Sequence, residues 1–115
     1  MLESRQPIPI ETYPTVGGYE FGAITYLYTQ YLPEAPAIFV CMYRGADGNR
    51  YLFDVDHADN VRLAVADHPR AACWHHATAA GQTMEIGVHI TALPAWSREI
   101  EVTKIRAQYP QLLCG

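Results

Sequence analysis

Ala37-Ile38-Phe39-Val40-Cys41-Met42-Tyr43-Arg44, then Gly45-Ala46-Asp47-Gly48-Asn49-Arg50, then Tyr51-Leu52-Phe53-Asp54-Val55, is the stretch whose reading decides the fold. The first run is short, apolar and rich in strand-forming residues, which predicts a buried strand over 37–44. Asp47-Gly48 supplies the left-handed backbone conformations that a hairpin turn needs, and Tyr51 to Val55 resumes as the partner strand.

Downstream, Asp59-Asn60 can cap a helix whose apolar side is Val61, Leu63, Ala64 and Val65, and Pro69 ends it after His68. A second helical piece runs from Arg70 to Ala80 and stops at Gly81. Met84, Ile86, Val88 and Ile90 alternate against Glu85 and His89, a third strand. Ser97 can cap the last helix, which carries Ile100 and Ile105 and stops at Tyr109-Pro110. The predicted order is strand, strand, helix, helix, strand, helix.

Upstream, Pro7, Pro9 and Pro14 predict an extended arm over 1–16 with no helix, and any disorder is confined to its start. Gly17-Gly18 opens a Tyr-rich segment, 19–31, in which Tyr19, Phe21, Ala23, Thr25 and Leu27 fall on one side of a period-2 pattern. That pattern predicts one strand, its tyrosines packed with their hydroxyls at the rim. Pro33, Glu34 and Pro36 close it as a linker.

Composition bounds what such a chain can be. With 115 residues, half of them hydrophobic, it can bury a single core and does not read as disordered. Apolar runs such as 35–42 fall far short of the ~20 residues that span a bilayer, and no secretory leader is visible. Three widely spaced cysteines, Cys41, Cys73 and Cys114, read as reduced thiols in a cytoplasm.

The net charge of -4 disfavours polyanion binding. Glu3, Glu11, Glu20, Glu34, Asp47, Asp54, Asp56 and Asp59 dominate the first sixty positions, whereas Arg62, Arg70, Arg98, Lys104 and Arg106 lie in the second part and could share one face.

Two local constellations could carry chemistry. Asp54-x-Asp56-x-x-Asp59-Asn60 gathers oxygen ligands for a hard cation, but it lacks the EF-hand glycine and terminal glutamate, so solvated acids and a helix cap are the simpler reading. His68, Cys73, His75 and His76 offer zinc-type ligands, of which only Cys73-x-His75 has ligand-like spacing. Cys73 or Cys41 with a histidine would make a nucleophile and base, yet Cys41 in an apolar strand is most simply a packing residue.

Taken together, the hairpin from Ala37 to Val55, the helix ending at Asp67-His68, the Cys73-Trp74 pair and the last strand and helix resemble the GIY-YIG endonuclease family. The likeness covers 36–115 and leaves 1–35 as an N-terminal extension, an extended arm plus the Tyr-rich strand. It implies an α+β fold, a small antiparallel three-stranded sheet flanked by helices. Ala37-Ile38-Phe39 stands where the family has Gly-Ile-Tyr, and Tyr51-Leu52-Phe53 where it has Tyr-Ile-Gly. The family's phosphate-binding arginine falls on Ala64, with Arg62 nearby on another face, and its metal-binding glutamate falls on Val102, with Glu101 about 100° around the helix.

Phe39 has no hydroxyl for proton transfer, Ala64 cannot neutralise charge on a phosphate, and Val102 cannot hold a divalent ion. The resemblance therefore implies a catalytically degenerate domain without a cofactor. It would act as a binding module toward a protein partner or toward itself through residues 19–31. The alternative it implies is an active endonuclease using Mg or Mn, with Tyr51, Arg62, His68 and Glu101 rearranged into a catalytic set and Glu101 as metal ligand.

Overall fold

The computed structural model describes residues 6–78, 81–110 and 112–115. The apolar run becomes β5 (Ala37–Arg44), the centre of a five-stranded antiparallel sheet, preceded in the chain by β1 (Ile8–Ile10), β2 (Thr15–Val16), β3 (Tyr19–Glu20) and β4 (Gly22–Thr25). After it come β6 (Arg50–Ala58) and β7 (Met84–Ile90), and the strand order is β1-β6-β5-β7-β4. A strand covered on both faces needs apolar residues at consecutive positions, which is why 37–42 lacks alternation. The turn is the expected one. Gly48 has φ of 85°, and the Asp47 carboxylate accepts from the Asn49 amide at 3.0 Å.

Helices cover both faces. On one side α1 (Val61–Ala66) and α2 (Ala71–Ala77) place Val61, Val65 and Trp74 over Phe39, Cys41, Phe53 and Ile86. On the other, α3 (Ala95–Gln108) sets Val102 and Ile105 against Ile38, Val40, Met42 and Val55, together with Ile10, Val16 and Phe21 from the arm. No helix among the described residues is long and apolar enough to cross a membrane.

The sheet has five strands rather than the three expected. The additional two come from the N-terminal segment, because the β6–β5–β7 core alone leaves backbone donors and acceptors open on both sides. β1 pairs with β6 from Ile8↔Leu52 to Ile10↔Arg50, and β4 pairs with β7 from Gly22↔Val88 to Thr25↔Glu85. The separate pair β2–β3 is a tight hairpin, where Gly17 and Gly18 both have positive φ, at 58° and 87°.

The single strand predicted over 19–31 is also corrected. Only 19–20 and 22–25 are extended, and Tyr26–Tyr31 is 3-10 helical on either side of a kink at Tyr28. The physical cause is the end of β7: with Thr25 opposite Glu85, one residue more reaches Met84, the last possible partner. The chain bends there and carries Leu32 into the core.

Other boundaries hold with small shifts. Asn60 caps α1, accepting from the Leu63 amide at 3.2 Å. The second helix begins at Ala71 and ends at Ala77, short of the expected Ala80, since Thr78 is already extended with ψ of 118°; residues 79–80 themselves lie outside the described residues. The last helix starts before Ser97, at Ala95: the Pro94 carbonyl accepts the first helical hydrogen bonds from the Ser97 and Arg98 amides, each at 3.0 Å, and no side chain caps the end.

The thiol reading is overturned. Cys73 and Cys114 are joined by a disulfide, and only Cys41 is free, buried in the sheet. Sequence separation of 41 residues hid a pair that the return of the C-terminal tail to α2 brings together. A crosslink over such a loop restricts the unfolded chain by about 4 kcal/mol in the loop-entropy account. Cys73→Ser and Cys114→Ser should each lower the unfolding free energy by about 2–4 kcal/mol, seen as a lower urea midpoint, and the double variant should lose no more than either single one.

Candidate functional site

The register of β5 against β6 shifts between Cys41 and Met42, a bulge opposite Phe53. A bulge re-aims side chains, and here it breaks the alternation of β6, so that Leu52 and Val55 face α3 while Phe53 and Asp54 both serve the α2 side. Asp54 is fully buried rather than solvated. Its carboxylate accepts from Arg70 Nε at 2.8 Å, Arg106 Nη2 at 2.6 Å, Trp74 Nε1 at 2.6 Å and the Val55 amide at 2.8 Å. Arg70 thus reaches it from the start of α2 and Arg106 from the last turn of α3.

Asp56, two residues on, accepts from His68 Nε2 at 2.8 Å and Arg70 Nη2 at 3.1 Å. His68 takes the Arg70 amide on Nδ1 at 3.0 Å, so Nε2 is the donating nitrogen, and the ring stacks on Trp74 with centroids 4.3 Å apart. Burial pushes the Asp56 carboxyl up, but the hydrogen bonds from His68 and the His57 amide, with the nearby Arg70 charge, outweigh it and hold Asp56 below the ordinary value.

A second cluster fastens the other end of α3. Arg98, buried, donates Nε to His57 Nδ1 at 3.2 Å and Nη1 to the Leu93 carbonyl at 2.8 Å, and its Nη2 pairs with Asp59. His57 Nε2 in turn meets Glu99 at 2.7 Å. The acids of β6 therefore do not form a cation site. Three of the five basic residues that could have shared one face, Arg70, Arg98 and Arg106, point inward onto these acids.

The residues proposed for a nuclease are not brought into contact with one another. The Tyr51 hydroxyl bonds Asp47 at the hairpin tip and its ring stacks on Tyr43, centroids 5.2 Å apart. Arg62 donates Nε to the Leu32 carbonyl at 2.7 Å, and His68 is held in the Asp56 cluster. Glu101 accepts from the Tyr19 hydroxyl and from Lys104 Nζ at 3.1 Å. Both Glu101 oxygens are thus engaged, one beside an ammonium group, and among the described residues no three His, Cys, Asp or Glu side chains are placed to hold a metal ion. This surrounding does not fit a divalent cation.

Zinc-type ligation by Cys73-x-His75 fails for a different reason, since the Cys73 sulfur is spent in the disulfide. Cys41 is no nucleophile either. Burial first, then the Asp54 charge, pushes its thiol well above the usual range.

The Tyr-rich segment presents an open apolar surface, as do Ile90, Trp96 and Ile100 elsewhere. Tyr26 turns inward against His75, edge to face at 5.4 Å, whereas Tyr28 and Tyr31 are 53% and 68% exposed, beside α1 with its outward Leu63. β4 is the outermost strand next to this turn, and Gly22 and Ala23 are exposed. Sequence patterning missed the separation of inward from outward tyrosines because the 3-10 turn replaces the period of a strand.

Removing the charge of Asp54 while keeping its shape leaves two guanidinium groups short of a partner. Asp54→Asn should cost about 3–5 kcal/mol of stability, against under about 0.5 kcal/mol for an exposed acid. For Asp56 the depressed carboxyl contributes stability that is complete above its unfolded value of about 3.9 and is lost as pH falls through the lower folded value. The stability difference between the wild type and Asp56→Asn should be largest near neutrality and shrink below about pH 4, read from urea unfolding across pH. Comparison with known protein families, with curated proteins and with solved structures finds no match to this chain.

Proposed function

We propose that the chain is a catalytically degenerate GIY-YIG-like domain that works as a protein-binding module through its Tyr-rich segment, residues 19–31. The observation that carries this reading is the engagement of every group a nuclease would need in a separate structural contact: Tyr51 with Asp47, Arg62 with Leu32, His68 with Asp56, and Glu101 with Tyr19 and Lys104. Phe39 and Phe53, at positions where the family has tyrosine and glycine, are fully buried against α1 and α2, so they fill the space a phosphate backbone would approach. The order of elements from Ala37 onward, strand, strand, helix, helix, strand, helix, is the one the resemblance implies and supports it.

The binding side rests on the contrast among sheet edges. β1 carries Pro9, which has no N–H to offer a further strand. The outer side of β6 beyond β1 is occupied, since the Cys114 amide donates to the Phe53 carbonyl at 2.9 Å and Arg106 to the Val55 carbonyl. β4, Gly22-Ala23-Ile24-Thr25, has neither charge nor proline, and two exposed tyrosines follow it. An added strand fits such an edge, and an antiparallel second copy centred between Ala23 and Ile24 sets residue 22 opposite 25 without opposing like charges.

Two measurements test the reading. Purified protein incubated with branched and single-stranded DNA and Mg or Mn should show no cleavage above blank; cleavage abolished by Tyr51→Phe would establish the nuclease alternative. Light scattering over a concentration series should show dimerisation that Ala23→Lys, or Tyr28→Ser with Tyr31→Ser, weakens at least about tenfold in Kd without shifting the urea midpoint, and a monomer at all concentrations rules out self-pairing.

A further inference from the structure

The C-terminal tail closes over the charged core at one covalent point. Leu112 is buried on the α3 side of the sheet and Cys114 on the α2 side, so the tail wraps the free edge of β6. Its Cys114 amide donates to the Phe53 carbonyl at 2.9 Å. Gly115 lies against the guanidinium of Arg106, which leaves no room for a Cβ, and that same Arg106 holds buried Asp54 at 2.6 Å. Apart from the disulfide, the described tail residues are held by this backbone bond, by burial of Leu112 and Cys114 and by the packing of partly buried Leu113 on the α2 side.

The two cysteines differ in exposure. Cys114 is fully buried, whereas Cys73, in α2, is partly exposed. An incoming thiolate can therefore meet the bond from the Cys73 side, and the sulfur displaced is the one that carries the tail.

We infer that the Cys73–Cys114 disulfide is a redox latch: a dithiol reductant opens it in the folded protein, releasing the tail and baring the β6 edge beside Asp54 and Arg106. In the first step the thiolate of the dithiol attacks Cys73 Sγ, the S–S bond breaks, and Cys114 leaves as a thiolate that takes up a proton. In the second, the other thiol of the reagent, deprotonated, attacks the mixed disulfide, and Cys73 leaves and is protonated. Two electrons and two protons pass from the dithiol, which ends as its own disulfide. Cys41 takes no part, enclosed in the sheet between β6 and β7.

The test uses the full chain under native conditions, with dithiothreitol as the dithiol. Thiol labelling with mass analysis should show Cys73 and Cys114 becoming reactive while Cys41 stays unlabelled. Hydrogen exchange of the C-terminal peptide should accelerate at least about tenfold while peptides from β5 and β7 keep their protection, since the opening is local. Cys73→Ser should show the fast tail exchange with or without dithiothreitol, and Cys41→Ala should respond as the wild type does. The latch is refuted if the bond resists dithiothreitol in the folded state, if the reduced tail stays as protected as before, or if reduction unfolds the whole sheet.

Discussion

A carboxylate sealed from water is stable as a charge only if donors surround it, and Asp54 is the point on which this structure turns. Its two oxygens collect hydrogen bonds from α2, from α3 and from its own strand. Each donor therefore fixes an element. Arg70 and Trp74 seat α2 on the sheet, and Arg106 draws the end of α3 around the strand edge. The bulge between Cys41 and Met42 is what allows this, because it turns Phe53 and Asp54 to the same side. With regular alternation continued from Leu52, Asp54 would instead face the apolar packing of α3, Val102 and Ile105.

The same physics organises the distribution of charge. Acids crowd the first sixty residues and basic residues follow later, an asymmetry that could serve an outside partner. In the folded chain it is largely internal. Arg98 at one end of α3 and Arg106 at the other clamp the helix along β6 through Asp59, His57, Asp54 and the Val55 carbonyl. Such pairs give orientation more than net stability, since desolvation offsets much of the attraction. They also leave fewer free cations for a phosphate backbone.

Edges of the sheet set where partners can add. Pro9 blunts one, and the tail with its disulfide covers the next, while β4 stays plain beside exposed tyrosines. The surface proposed for binding lies on β4 and the tail proposed as a latch on β6, with β5 and β7 between them, so the two ideas stand independently.

How much was legible follows from the range of each interaction. Periodicity and turn chemistry are local, so β5 and β7 are found to the residue, the Asp47-Gly48 turn is where expected, and Asn60 caps its helix. Strand count was not legible, since whether 8–10 and 22–25 join the sheet depends on backbone groups left open by strands far along the chain. Nor was the candidate site. Tyr51, Arg62, His68 and Glu101 each found a partner that no spacing indicates, such as Tyr19 for Glu101. Cysteine spacing likewise gave no sign that Cys114 would return to Cys73. The sequence by itself determined the local elements and their apolar faces, because those depend on neighbours a few residues apart. Only tertiary structure decided which acids are buried, which tyrosines stay outside and which thiols meet, because burial and contact are set by what the rest of the chain brings alongside.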